Sequence, residues 1–162
     1  MAKITAEQRL RKKNELDDVV LSIFWEYGWN AISYASVAKR YGCSRGAIQR
    51  YYPSHDDFSQ ALKGKVLPLI LQNLDWSSSQ KFYRSWIEQL NGEDQKFRRV
   101  MELLFNNALQ EQPSEMTKSG VNRLLQMIES TFEDKELGKL LFGETFLELL
   151  NRKVNISSQN NE

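Results

Sequence analysis

Apolar residues return every three or four positions through nearly the whole chain, and this one period leaves room for little but a helical architecture. Leu16, Val19, Val20, Ile23, Phe24 and Tyr27 set it near the N-terminus. They mark one face of a helix over a window too long for the two-residue alternation of a strand. The spacing recurs in Phe97, Val100, Met101, Leu104, Phe105 and Ala108, and again in Gly120, Val121, Leu124, Ile128 and Phe132. No strand pattern, internal repeat or low-complexity tract interrupts it. The expected fold is all-α.

Glycine, proline and short polar residues divide this pattern into elements. Thr5 and Gln8 have the spacing of a capping box, and Gly28 stops the helix they open. In "AISYASVAKRYG", Ser33 is the expected N-cap, Val37, Ala38 and Tyr41 the buried side, and Gly42 the C-terminal stop. Ser44 can cap a short third helix, Arg45 to Tyr52, which Pro53 closes. Ser54 and Asp57 form another capping-box signature, and Asp56 and Asp57 place negative charge where a helix dipole favours it. A fourth helix is therefore expected from about His55 to about Leu74. Gly64 and Pro68 stand four apart inside it and read either as a bend or as a break between two helices.

Further helices are expected from "SSSQ" through Trp86 to Leu90, from Glu93 to Gln110, from Pro113-Ser114 onward, and from Lys135 to Val154. The last one is unusual. Leu137, Leu140, Leu141, Phe142, Phe146, Leu147, Leu149 and Leu150 wrap most of its circumference, and a helix apolar nearly all round must be covered on more than one side. A second copy of the chain is the simplest cover. Gly120, Val121, Leu124, Ile128, Leu141, Phe142 and Leu149 are the expected dimer interface. The expected division is a head at 1–65, a helical body at 66–154 and a disordered tail at 155–162, which is polar and without pattern.

Composition narrows the function. The longest unbroken apolar run, Val66 to Leu71, is far short of the roughly 20 residues of a membrane span. The basic N-terminus lacks the hydrophobic stretch of a signal peptide. One cysteine, Cys43, excludes an internal disulfide and suits the reducing cytoplasm. With one histidine beside that cysteine, no ordinary zinc set can be assembled. No metal, cofactor or membrane is expected, and no catalytic constellation appears with its required context, so an enzyme is not expected.

The net charge of +1 conceals a division of charge along the chain. Residues 1–65 hold 11 Lys and Arg against 7 Asp and Glu, a balance of +4, and the remainder holds 11 against 14, a balance of −3. A basic end on an acidic body suits a protein that offers one end to a polyanion. Within that end, Ser33 to Tyr41, the turn Gly42-Cys43-Ser44 and Arg45 to Tyr52 fit a helix-turn-helix, two short helices joined by a glycine-containing turn. In such a unit the second helix enters the major groove of duplex DNA.

The stretch "VVLSIFWEYGWNAISYASVAKRYGCSRGAIQRYYPSHDDF" resembles the N-terminal domain of TetR-type transcriptional regulators. The resemblance covers about residues 8–65 and rests on Gly28-Trp29, Ile32-Ser33, Val37-Ala38, Gly42-Cys43-Ser44, Arg45-Gly46-Ala47-Ile48, Tyr51-Tyr52-Pro53 and Ser54-His55-Asp56-Asp57. It implies a homodimer on double-stranded DNA, acting as a repressor at a palindromic operator. By the same resemblance Ser33, Ser44 and Arg45 touch phosphates, and Gly46 and Ala47 let the recognition helix approach the bases. Gln49 and Arg50 are long enough to read base edges. Tyr51 is either a backbone contact or a core residue, while Ile48 and Tyr52 are core.

Three positions depart from the family pattern. Gln49 stands where tyrosine is usual, Ile32 where threonine is usual, and His55 where lysine usually meets a phosphate. Histidine there makes that contact sensitive to pH. The resemblance also implies an unidentified small-molecule effector in the body, where Phe82, Trp86, Phe97, Met101 and Phe105 either line a cavity or fill the core. A second reading keeps the same DNA-bound head and has the body recruit a protein partner, as an adaptor.

Overall fold

A computed structural model describes residues 4–151, and every regular element among them is helical. The head contains α1 (Ala6–Tyr27), a 3₁₀ turn (Trp29–Ala31), α2 (Tyr34–Tyr41), α3 (Arg45–Gln49) and a 3₁₀ helix (His55–Ala61). The body contains α4 (Val66–Leu71), α5 (Ser79–Asn91), α6 (Lys96–Ala108), α7 (Glu115–Phe132) and α8 (Leu137–Leu150). The expected tail and Val154 lie outside the described residues.

The punctuation residues act locally as their chemistry dictates. The Thr5 hydroxyl accepts from the Gln8 N–H at 3.2 Å, and the Gln8 side chain accepts from the Thr5 N–H at 2.9 Å. Gly42 ends α2 in the left-handed region at φ +82°, which costs an L-residue with a Cβ roughly 1–2 kcal/mol. Ser44, Ser78 and Ser114 accept backbone N–H groups at the starts of α3, α5 and α7, each satisfying a donor that has no partner within its helix.

The expected continuous helix from His55 to Leu74 does not form. The chain winds as 3₁₀ to Ala61, turns through Gly64 at φ +72°, and restarts at Val66. Pro68 then lies in the first turn of α4, where its missing N–H removes no helical bond. The Gly64/Pro68 pair therefore makes a break rather than a bend. The third helix is also shorter than the spacing suggests: it runs from Arg45 to Gln49, and Arg50 and Tyr51 continue as a turn, with the Tyr51 and Tyr52 N–H groups both donating to the Ile48 carbonyl ahead of Pro53.

Head and body share one continuous buried cluster, from Leu16, Val20 and Phe24 in α1 to Leu124, Ile128 and Leu141 in α7 and α8. α1 and α4 both pack on α6, so the head is set directly on the body. Gly28 lies at that junction with φ +89°, and a Cβ built on it would stand 3.3 Å from Nη1 of Arg99 in α6. Nε of Arg99 is buried there without a hydrogen-bond partner. In the body, α8 packs against α5 and α7, and Trp86 Nε1–H donates to Thr145 Oγ1 at 2.8 Å, whose hydroxyl donates to the Leu141 carbonyl at 2.7 Å. These bonds satisfy the two polar groups that this apolar contact would otherwise strand.

Candidate nucleic-acid interface

The recognition segment is held from behind by a buried polar knot. Ile48 and Tyr52, one helical turn apart, are fully enclosed. The Tyr52 hydroxyl donates to Asp17 Oδ1 at 2.5 Å, and Lys13 Nζ meets the same oxygen at 2.5 Å while lying 4.2 Å from the centre of the Tyr52 ring. Burial, and after it the Asp17 hydrogen bond, pushes the phenol well above its ordinary pKa, so it remains a donor across physiological pH. Tyr34 of α2 donates to the Tyr52 carbonyl at 2.8 Å. Both partner helices thus grip the end of the segment that follows α3. The four-residue spacing of Lys13 and Asp17 is a signal that could have suggested their pairing; nothing in the sequence signalled that Tyr52 and Tyr34 would join them.

The opposite side of the segment is open. Ser44, Arg45, Gly46, Gln49 and Arg50 are exposed. The side chains of Arg45, Gln49 and Arg50 make no hydrogen bond or ion pair among the described residues, in contrast to Arg40 of α2, which pairs with Glu26 at 2.8 Å and contacts Ser22 Oγ at 3.2 Å. A Cβ built on Gly46 meets nothing within 4 Å, so the fold of the chain does not require glycine there. Ala47 and Tyr51 are half-buried, and the Arg9 guanidinium lies 5.8 Å from the Tyr51 ring centre. Tyr51 packs against the core as well as reaching the surface.

Ser33 and His55 flank this surface. The Ser33 hydroxyl accepts from the Ser36 N–H at 3.0 Å as the N-cap of α2. His55 Nε2–H donates to the Ile32 carbonyl at 2.8 Å, and its ring makes edge contacts with Trp29 at 5.3 Å and Phe58 at 5.5 Å. Ile32 itself is buried, filling the place where the family has threonine. The 3₁₀ helix that carries His55 is preceded by Ser54 at its N-cap, whose N–H and hydroxyl both donate to Asp57 Oδ2, at 2.7 and 2.9 Å. These bonds, the backbone one first, hold the Asp57 carboxyl below its usual pKa.

The residues singled out in the body are placed differently from one another. Phe82, Trp86, Phe97 and Met101 are fully buried, with Trp86 edge-on to Phe97 at 5.0 Å and tilted against Phe82 at 5.9 Å. Phe105 is half-buried beside Phe142. Close ring packing makes Phe82, Trp86, Phe97 and Met101 core, and none of the five lines a described cleft. Leu124, Ile128 and Leu141 are likewise wholly enclosed by their own chain, because α7 and α8 turn these sides toward α5 and α6 and leave them no surface for a second copy. Gly120, Val121, Phe142 and Leu149 keep partial exposure. The large apolar surface left open on α8 is Leu140, Phe146, Leu147 and Leu150.

A basic helix-turn-helix on an all-helical body is an architecture that suits a transcriptional regulator. The family model described as "Tetracycline repressor LuxT C-terminal domain" matches residues 63–149. The match spans more than half of the chain, and the chain belongs to this TetR-like repressor family, whose members are transcriptional regulators. No curated protein matches the chain. The family match lies on the body, whereas the resemblance in the sequence lies on the head, so the two are independent. None of the described helices is long and apolar enough to cross a membrane.

Proposed function

We propose that the chain is a homodimeric, sequence-specific DNA-binding repressor that occupies a palindromic operator. The observation that carries this reading is the contrast across the recognition segment. Its inner side is locked by Ile48 and Tyr52, and its outer side offers the side chains of Arg45, Gln49 and Arg50, without partners among the described residues, around the exposed Gly46. Long polar side chains on a rigid short helix suit base edges, with glutamine fitted to adenine and arginine to guanine. Ser33, Ser44, Arg45 and His55 serve the phosphates, with Tyr51 beside them, and fix the register. Ala47 and Gly46 keep the approach close.

Dimerisation is supported by the unsatisfied face of α8. Leu140, Gly143, Leu147 and Leu150 follow one another at three- and four-residue steps, which is the seam a second helix can occupy. A Cβ on Gly143 would meet nothing within 4 Å, so that glycine leaves space for a partner. Two heads on a symmetric dimer present recognition helices about 34–36 Å apart, or somewhat more, for half-sites in successive grooves.

Fluorescence anisotropy with labelled genomic duplexes, at about 50 and about 200 mM salt, tests the proposal. Saturable binding by a dimer, stronger to a subset of duplexes and weakened by salt, is expected. Monomeric protein with no binding at the lower salt contradicts it.

A further inference from the structure

Val20 and Leu16 are fully buried on the side of α1 that packs against the rest of the head. Three- and four-residue steps back along that face lead to Lys13, Lys12 and Arg9, so an apolar stripe becomes a cationic one where the helix runs past the core. Each cation stands over a tyrosine of the helix-turn-helix: Lys13 lies 4.2 Å from the Tyr52 ring centre, Lys12 5.8 Å from that of Tyr41, and Arg9 5.8 Å from that of Tyr51. Two of the three have a carboxylate at hand. Lys13 pairs with Asp17, and the hydroxyl of the Tyr41 beneath Lys12 donates to Glu15 Oε2 at 2.7 Å. Arg9 is exposed, and its side chain makes no ion pair or hydrogen bond among the described residues.

Helix stability does not account for this arginine. Arg9 closes the first turn of α1, where the positive end of the helix dipole disfavours a cation, and an exposed cation–π contact close to the outer limit of about 6 Å is weak. What Tyr51 supplies is direction. It follows Arg50 at the end of the recognition segment, and its half-buried ring packs on the core, so it fixes the guanidinium at the flank of that segment. An uncompensated guanidinium held there suits the phosphodiester backbone that borders the groove. We propose that Arg9, seated on the Tyr51 ring, is a phosphate-binding residue, so that the first turns of α1 grip the duplex beside the helix-turn-helix. The inference deepens the DNA-binding reading above and rests on it. It makes Tyr51 a platform through its ring, and the contact itself carries no sequence information.

Fluorescence anisotropy of the full chain over a salt series, on the duplex it binds most tightly and on random duplexes, tests the assignment. Arg9→Gln should lower the slope of log affinity against log salt by about one unit, and affinity about tenfold near 0.1 M salt, on both kinds of duplex alike. Arg9→Lys should restore the slope, because it restores the charge. Arg11, 77% exposed, projects about 200° away round the helix, and Arg11→Gln should keep the slope of the parent. A single methylphosphonate moved along the duplex should locate the contact, at a phosphate whose neutralisation weakens the parent but not Arg9→Gln. An unaltered slope in Arg9→Gln, an equal change in Arg11→Gln, or a loss that accompanies lowered thermal stability and is not recovered by Arg9→Lys overturns the inference. A parent that binds duplexes while its variants behave in that way leaves the DNA-binding reading standing without Arg9. A parent that ignores every duplex removes both.

Discussion

The Tyr52 phenol donates a 2.5 Å hydrogen bond to Asp17, and so ties the end of the recognition segment to the long first helix. The donor is fully buried and the acceptor is shared with Lys13. Removing the hydroxyl in Tyr52→Phe leaves the ring in place but loses a bond to a charged group, at about 1.5–3 kcal/mol. Chemical denaturation should show that loss of stability. At a temperature where the variant remains folded, DNA binding should weaken for specific and random duplexes alike, because the whole segment is less well held.

Gly46 predicts the opposite pairing of effects. It is helical, exposed and free of steric neighbours, so Gly46→Ala should stabilise the free protein by about 0.4–1 kcal/mol. The same substitution should weaken DNA binding, since the added methyl stands where the recognition helix meets the groove. Thermal unfolding and anisotropy on one preparation check both signs. A variant that is more stable and binds DNA equally well would show that close approach at Gly46 is not needed.

Arg45 and Gln49 should separate affinity from specificity. Arg45→Ala should weaken binding to every sequence and lower the slope of log affinity against log salt by about one unit. Gln49→Ala should change preference at one base position by about 1–3 kcal/mol. Equal losses on specific and random DNA for Gln49→Ala would contradict its role as a reader of bases.

Asp57 should leave a trace in the acid limb of stability. Its folded pKa is depressed by the Ser54 backbone and hydroxyl donors. A depressed carboxylate pKa contributes stability that is fully present above the unfolded value, about 3.9, and is lost as pH falls through the folded value. Urea denaturation between about pH 5 and about pH 2 should therefore show a shallower acid limb for Asp57→Asn than for the parent chain.

The open face of α8 gives a test of assembly. Leu147 is half-exposed in the single chain, so Leu147→Glu removes no core contact of its own fold. It should raise the dimer dissociation constant roughly thirtyfold, equivalent to about 2 kcal/mol, with an unaltered far-ultraviolet circular dichroism spectrum. Sedimentation velocity across a concentration series reads the shift.

Element type and most caps were legible in the sequence because they depend on local chemistry. Thr5, Ser33, Gly42 and Ser44 act within a few residues of themselves, and each does so in the structure. What escaped depends on which side of a helix meets which neighbour. An apolar stripe on α7 and α8 marks Leu124, Ile128 and Leu141 as covered, but the same pattern arises whether the cover is the chain's own α5 and α6 or another copy. The Gly64/Pro68 pair was ambiguous for a related reason. Spacing shows that a helix is disturbed there, and only the path of the chain places Pro68 in a first turn, where it does no harm. The proposed recognition residues were singled out through resemblance. Their support by Asp17, Lys13 and Tyr34 required contacts between residues as much as 35 apart.

Selection of bound fragments from a random duplex library by the intact protein tests the central claim most directly. The account predicts enrichment of an imperfect palindrome with two half-sites at a fixed spacing of about one helical turn or somewhat more. Recovery of fragments with no shared sequence, or of a single unrepeated site, would contradict it.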